Sequence, residues 1–87
     1  RPEWANWMWV TIGCETGGTY NPAAWSGYYQ GWSQQDPYYW PARAAAAGLP
    51  GGNPYHGVDS AMVMASMLTS REAWQHWPVC GRNGWRP

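Results

Sequence analysis

The sequence predicts a small, mainly α-helical domain that carries one short β-hairpin or irregular aromatic loop. The chain has 87 residues, a length that suits one compact domain. Apolar side chains recur at helical spacing near the start of the chain and again in its second half, and a segment rich in Gly, Tyr and Trp without that period lies between them. We therefore expect residues 1–87 to form a single domain.

The predicted core is aromatic. The chain holds nine Trp, six Tyr and four Met but no Phe. Burial must therefore come mainly from large rings packed against Ala and Met, and the polar tips of those rings need hydrogen-bond partners. The Trp residues that fit best as core are Trp4, Trp7 and Trp77.

The first helix is predicted from residue 2 to about residue 14. Pro2 suits the first turn of a helix. Side chains at three- and four-residue spacing follow it, namely Trp4, Trp7, Met8, Thr11 and Ile12. Gly17 and Gly18 end the helix, so Glu15 lies on its last turn. The C-terminal end of a helix dipole favours cations, so it does not stabilise a carboxylate there.

The middle of the chain predicts a loop with a short hairpin, followed by a second helix. Residues 19–33 are rich in Gly, Asn-Pro, Tyr and Trp, which is typical of turns. Asp36 and Pro37 have the form of a helix cap and a first-turn proline. The Ala-rich stretch up to Gly48 continues this helix, and Pro41 would introduce a kink in it.

A third helix is predicted over residues 59–69, after a second loop at 49–57. Asp59 would cap this helix. Its apolar positions recur at helical spacing and are Ala61, Met64, Ala65 and Leu68. We expect a further turn or two over residues 71–76 and an irregular tail after Pro78.

Composition excludes several classes of partner. Five Arg balance five acidic residues, so the chain has no basic field that could grip nucleic acid or an anionic membrane surface. No apolar run approaches the length of a membrane span. We therefore expect a neutral ligand, no nucleic acid and no membrane insertion. Lys is absent while Arg, Ala, Gly, Pro and Trp are abundant, a composition typical of a high-GC bacterial genome or of its phage.

Cys14 and Cys80 allow two interpretations. An even cysteine count in a short chain predicts a disulfide, whereas two reduced, buried thiols would fit a cytosolic protein. A zinc site with His56 and His76 is disfavoured, because neither Cys-x-x-Cys nor His-x-x-x-His spacing is present. The two histidines are then expected to be hydrogen-bonded surface or boundary residues. No metal is expected.

Two further site types are missing from the sequence. It has no Gly-x-Ser-x-Gly nucleophile and no phosphate-cradling loop. We therefore expect no cofactor.

Glu15 is the acidic residue best placed for chemistry. Ring faces stack on sugars, and a desolvated carboxyl keeps its proton near neutral pH. Glu3 and Glu72 lie on helical stretches where charges are usually solvated, and Asp36 and Asp59 are interpreted as helix caps. From composition alone, an acid at a helix end is more often simply solvated than catalytic.

Three motifs carry a resemblance that raises the expectation for Glu15. They are Cys-Glu-Thr-Gly-Gly at 14–18, Gly-Tyr-Tyr at 27–29 and Trp-Pro-Val-Cys-Gly at 77–81. In this order, and with a Trp-rich first helix before them, they resemble the transglycosylase-like domain of the resuscitation-promoting-factor family. The resemblance covers nearly the whole chain and implies an α+β, lysozyme-like fold that resembles a trimmed c-type lysozyme joined to the catalytic module of soluble lytic transglycosylases.

The resemblance also implies a site. Glu15 matches the catalytic Glu, Cys14 and Cys80 match the disulfide, and Tyr28 and Tyr29 match the aromatic pair that lines the cleft. The chain departs from the family after the tyrosines and near Ser60, where the family tends to carry Gln. The side chains that we expect to complete the ligand contacts are Gln30, Trp32, Gln34 and Trp40.

The function implied is cleavage of peptidoglycan by a secreted enzyme of the cell wall or of a phage virion. A lytic transglycosylase with Glu15 as its acid and base is the first expectation. A lysozyme-type hydrolase is the alternative, and it needs a second carboxylate such as Asp36 or Asp59 across the cleft. A non-catalytic glycan-binding or structural module is the other alternative. The expected partners are peptidoglycan strands and other cell-wall enzymes.

Overall fold

Three helices and one two-stranded hairpin make up the part of the chain that the computed structural model describes, residues 2–69 and 75–83. The order is α1 (Pro2–Glu15), β1 (Trp25–Ser26), β2 (Tyr29–Gln30), α2 (Trp40–Ala46), α3 (Gly57–Met67) and a 3-10 turn (Cys80–Asn83). A disulfide joins Cys14 to Cys80. The prediction of a small, mainly helical domain with a short hairpin and one disulfide is confirmed.

Helix α1 ends in a Schellman motif that fixes the position of Glu15. The N–H of Gly18 donates to the oxygen of Gly13 at 2.7 Å, and the N–H of Gly17 donates to the oxygen of Cys14 at 3.2 Å. Gly17 has a φ of 65°, in the left-handed region that glycine adopts without a steric penalty. Glu15 is therefore the last helical residue, as the sequence predicts.

The core consists of two apolar clusters that meet at α3. The first contains Trp7, Ile12, Met64, Leu68 and Trp77, and the second contains Trp40, Ala44 and Val63. The ring N–H of each buried Trp has a main-chain acceptor: Trp7 donates to Gly81, Trp40 to Gly52 and Trp77 to Ser33. A buried donor without a partner costs about 1–3 kcal/mol, so these bonds are what allows indole rings to serve as the core.

The hairpin lies before α2, and its turn contacts the segment that precedes that helix. Trp25 pairs with Gln30 and Ser26 with Tyr29 in antiparallel register. Gly27 has a φ of 82° at the first central position of the two-residue turn, where a type II′ turn requires glycine. Gln30 and Gln35 then exchange main-chain hydrogen bonds of 3.0 and 2.8 Å, so the chain doubles back once more.

The start of α2 differs from the prediction. The helix begins at Trp40, and Pro41 lies in its first turn and introduces no kink, because a proline there removes no helical hydrogen bond. Asp36 does not cap the helix. Its Oδ1 accepts the N–H of Tyr38 at 2.8 Å and so closes a turn ahead of it.

The start of α3 differs in the same way. The helix begins at Gly57, two residues before the predicted start, and Asp59 lies in its first turn and not at the cap position. The Asp59 carboxylate accepts the N–H of Asn53 at 3.0 Å and contacts Nδ1 of His56 at 3.2 Å. Both aspartates therefore stabilise the loop that precedes a helix.

The predicted tail is more regular than expected over its described part. Cys80–Asn83 forms a 3-10 turn, which the disulfide and the bond from Trp7 to Gly81 hold against α1. Most of the turn predicted over 71–76 lies outside the described residues. None of the described helices combines the length and apolar character needed to cross a membrane.

Candidate active site

An open cleft of about 370 Å³ lies at the C-terminal end of α1. The end of α1, the hairpin, the start of α2 and the segment before Cys80 each contribute to its walls. Its lining residues are Glu15, Tyr29, Ser33, Gln34, Gln35, Asp36, Tyr39, Arg43, Met67, His76, Trp77 and Pro78. The cleft thus combines one glutamate with aromatic and polar side chains from four separate parts of the chain.

Glu15 is half-buried and projects into this cleft without a polar partner. Its carboxylate makes no hydrogen bond or ion pair with any other residue that the structure describes. Burial raises the pKa of Glu15 above its ordinary value of 4.5. The adjacent helix C-terminus acts in the same direction, because its partial negative charge disfavours an anion. A carboxyl in this environment is suited to donate a proton.

A buried polar network forms the floor of the cleft. Ser33, Gln35 and Ser60 are each 1% exposed or less. The hydroxyls of Ser33 and Ser60 are 2.8 Å apart, and Nε2 of Gln35 donates to the Ser33 hydroxyl at 2.9 Å. Nη1 of Arg43 donates to Oε1 of Gln35 at 3.1 Å. Because every member has a partner, the network fixes its side chains relative to the core.

Asp36 is the second carboxylate that lines the cleft. The hydroxyl of Tyr28 donates to its Oδ1 at 2.7 Å, and the same oxygen accepts the N–H of Tyr38. The bond to Asp36 also raises the pKa of Tyr28. Asp59, the other carboxylate considered from the sequence, lies with His56 and Asn53 and does not line the cleft.

The aromatic side chains of the cleft are Tyr29, Tyr39 and Trp77. Tyr29 is 48% exposed and Tyr39 is 52% exposed, whereas Trp77 is 3% exposed. The ring of Tyr29 packs edge-on against Tyr28 at 5.3 Å between centroids. Of the two tyrosines expected at the cleft, Tyr29 lines it, and Tyr28 acts on it through Asp36.

Two tryptophans expected to face a ligand are part of the packing instead. Trp40 is 5% exposed and belongs to the second core cluster, where its N–H donates to Gly52. Trp32 packs on the first cluster, and its N–H donates to the oxygen of Tyr20 at 2.8 Å. Both rings make protein contacts, and neither lines the cleft.

The two glutamines expected to contact ligand are also engaged. Gln34 lines the cleft, but its amide donates to the oxygen of Gly31 at 2.8 Å and accepts from the hydroxyl of Ser26. Gln30 does not line the cleft and pairs within the hairpin and with Gln35. The side chain of Gln34 and the main chain of Gln30 therefore close the hairpin.

Sequence reasoning missed Gln35, Tyr39, Arg43 and His76 as cleft residues. Arg43 is a lone charge in an Ala-rich stretch, and that contrast is a signal that could have indicated it. Burial, and then the nearby charge of Arg43, lower the pKa of His76. His76 is exposed, as predicted from the sequence, but nothing in its local sequence indicates that it lines the same cleft as Glu15.

The cysteines are not available as metal ligands, because they form the disulfide. Over residues 2–69 and 75–83, no three His, Cys, Asp or Glu side chains come together in a way that could hold a metal ion.

No protein-family model, curated protein or solved structure matches the chain at a significant level. The family resemblance carried by the three motifs therefore stays a prediction.

Proposed function

We propose that the protein is a muralytic enzyme, a lytic transglycosylase that cleaves the β-1,4 bond between N-acetylmuramic acid and N-acetylglucosamine in peptidoglycan. The observation that carries the proposal is the Glu15 carboxyl, which is half-buried in an open cleft, has no polar partner among the described residues and has a raised pKa. The position of Glu15 in the motif Cys-Glu-Thr-Gly-Gly supports the same assignment.

Glu15 acts twice in the proposed mechanism. In its protonated form it donates a proton to the glycosidic oxygen as the bond to the muramic C1 breaks. The resulting carboxylate then takes the proton of the muramic C6 hydroxyl as that oxygen bonds to C1. The glutamate is regenerated in its acid form and the product is a 1,6-anhydro sugar. One carboxyl with a raised pKa is sufficient for both steps.

Hydrolysis is the second candidate, and the presence of Asp36 in the same cleft favours it. Retaining and inverting glycosidases use two carboxyl groups on opposite sides of the scissile bond. Tyr28 and the N–H of Tyr38 orient one oxygen of Asp36. Such a carboxylate could stabilise a cationic intermediate or activate a water molecule while Glu15 serves as the acid.

The setting proposed is the extracellular cell wall or a phage virion. A disulfide forms and persists in oxidising compartments, which supports export of the chain. The partners proposed are peptidoglycan strands and other enzymes of the wall.

Mass spectrometry of digested peptidoglycan tests the chemistry. Purified sacculi are incubated with the wild type, Glu15→Gln and Asp36→Asn. Anhydro-muropeptides from the wild type and from Asp36→Asn, with none from Glu15→Gln, would support the transglycosylase. Reducing-end sugars that require both carboxylates would replace it with a hydrolase. Retained glycan binding without any release by the wild type would make the protein a binding module and overturn both enzymatic assignments.

Asp59→Asn is the matched control for loss of a carboxylate. Asp59 lies outside the cleft, so its removal leaves the chemistry in place. The digestions are run well below the unfolding temperature of every variant, so that a loss of product reports on the site and not on the fold.

A further inference from the structure

We propose that Arg43 forms an anion subsite in the cleft and binds a carboxylate carried by the glycan substrate. This inference rests on the proposed function, because it assigns a group of that substrate to a residue of the same cleft. The subsite is distinct from Glu15, which acts on the scissile bond.

Two contacts hold the Arg43 guanidinium in place. Nη1 donates to Gln35, which is 1% exposed and is fixed in turn by Ser33. The guanidinium carbon lies 5.0 Å from the centroid of the Tyr39 ring, within the range of a cation–π contact. These two contacts restrict the side chain, so little further entropy is lost when it binds a ligand.

Most N–H donors of Arg43 have no acceptor among the described residues. A guanidinium carries five N–H groups, and one of them is used by Gln35. Within residues 2–69 and 75–83, no carboxylate lies within ion-pair distance of Arg43. The Asp36 carboxylate, which also lines the cleft, has Oδ1 bound by Tyr28 and by Tyr38. The positive charge of Arg43 is therefore uncompensated in this part of the chain.

Arg43 supplies the positive charge among the described residues that line the cleft. His76 also lines the cleft, but its lowered pKa leaves it neutral near pH 7. A planar guanidinium with free N–H groups matches the two oxygens of a carboxylate. Peptidoglycan offers two such groups, the lactyl carboxylate of muramic acid residues that carry no peptide and the carboxylates of a stem peptide.

Binding to four defined glycans tests the subsite. The probes are neutral chitotetraose, a peptide-free tetrasaccharide of alternating N-acetylglucosamine and N-acetylmuramic acid, the same tetrasaccharide with its lactyl groups converted to methylamides, and the tetrasaccharide carrying stem peptides. Affinities are measured by Trp fluorescence in the Glu15→Gln background, where the proposed cleavage is absent. The wild-type chain is assayed for cleavage of each probe in parallel.

We expect a carboxylate-bearing probe to bind about tenfold more tightly than the methylamide and chitotetraose, and the preference to weaken with salt. A preference for the peptide-free tetrasaccharide identifies the lactyl carboxylate, and a preference confined to the stem-peptide form identifies the peptide. Arg43→Gln should abolish the preference, so that the carboxylate-bearing probes bind no more tightly than chitotetraose. Arg43→Lys should retain part of it.

Equal affinity of the parent chain for all four probes would overturn the subsite, as would an equal loss of affinity for every probe in Arg43→Gln. The modified ligands keep the test valid even if an Arg43 variant unfolds. Cleavage of the three muramic-acid probes at equal rates would overturn the subsite and leave the enzymatic proposal standing. A carboxylate preference without any cleavage would support the subsite and overturn the enzymatic proposal. The absence of binding to any probe would overturn both proposals.

Discussion

The indole N–H of Trp77 donates a hydrogen bond of 2.9 Å to the main-chain oxygen of Ser33. Trp77 also packs edge-on against Trp7, with 5.8 Å between ring centroids, and lines the cleft. One side chain therefore joins the core, the segment after the hairpin and the segment before Cys80. Since Ser33 belongs to the polar floor, the position of Trp77 determines the shape of the cleft.

Replacing Trp77 with Phe should destabilise the fold by about 2 kcal/mol, because the buried oxygen of Ser33 loses its donor and the smaller ring leaves space in the core. Urea denaturation measures the free energy of unfolding. Val79→Ala is the matched control, since Val79 lies two residues away and is 72% exposed. It should change stability by less than about 0.5 kcal/mol. Equal effects of the two substitutions would contradict this account of Trp77.

Reducing the disulfide should lower stability and cleavage together. Cys14 and Cys80 are 66 residues apart, and by loop-closure entropy a link of this length contributes about 4 kcal/mol. Cys14 adjoins Glu15, and Pro78 of the cleft wall is close to Cys80 in the chain. Thermal unfolding and peptidoglycan release are measured with and without reductant. The double variant Cys14→Ser, Cys80→Ser should already be destabilised and should not respond to reductant. A wild type indifferent to reductant would show that the link contributes little.

The helices were predictable because their signals are local. Periodic apolar residues and the Gly17-Gly18 pair define α1 and place Glu15 at its end. The starts of α2 and α3 were less predictable. Asp36 and Asp59 each had the form of a cap, but each side chain bonds to a loop N–H instead. A sequence shows that such a residue suits a turn and does not show which N–H it will accept.

The candidate site was predictable only in part. Glu15 and Tyr29 follow from local motifs, whereas Gln35 and His76 are brought to the cleft by contacts between distant segments. The position of Trp40 could not be predicted from the sequence either. An indole has both an apolar ring and a polar N–H, so it suits a ligand face or a core equally well. In the structure the ring N–H of Trp40 donates to Gly52 and the ring lies in the core. That hydrogen bond joins separate segments of the chain, so the local sequence does not reveal it.

Substitution of Gly31 should be far more damaging than substitution of Gly51. Both have a φ near 80°, namely 77° and 79°, so alanine is strained at either position. A Cβ on Gly31 would lie 1.8 Å from the oxygen of Pro54, whereas one on Gly51 would meet nothing within 4 Å. Gly51→Ala should therefore cost about 1–2 kcal/mol from backbone strain alone.

Gly31→Ala should cost several kcal/mol more than Gly51→Ala, because the loop at Pro54 must also move away from the hairpin end. Chemical denaturation of the two variants side by side gives the difference directly. The hairpin carries Tyr29, so Gly31→Ala should reduce peptidoglycan release as well. Similar costs at both positions would mean that the loop yields easily and does not hold the hairpin.

The raised pKa of Glu15 makes stability and activity depend on pH in a defined direction. Burial disfavours the charged form of Glu15. Below the ordinary pKa of 4.5 the carboxyl is protonated and burial does not lower the free energy of unfolding. That free energy falls as pH rises through the folded-state pKa. Glu15→Gln should therefore be more stable than the wild type near neutral pH and equal to it below that window. Cleavage should fall over the same rise in pH, because the first step needs the protonated acid.

Asp59→Asn should change stability in the opposite direction. The N–H of Asn53 and then His56 lower the pKa of Asp59, so loss of this carboxylate should destabilise the fold at neutral pH. Chemical denaturation over a range of pH gives the free energy of unfolding of each variant and tests both directions. A Glu15→Gln variant that is less stable than the wild type at neutral pH would mean that the carboxylate is stabilised by a partner and is not poised as an acid.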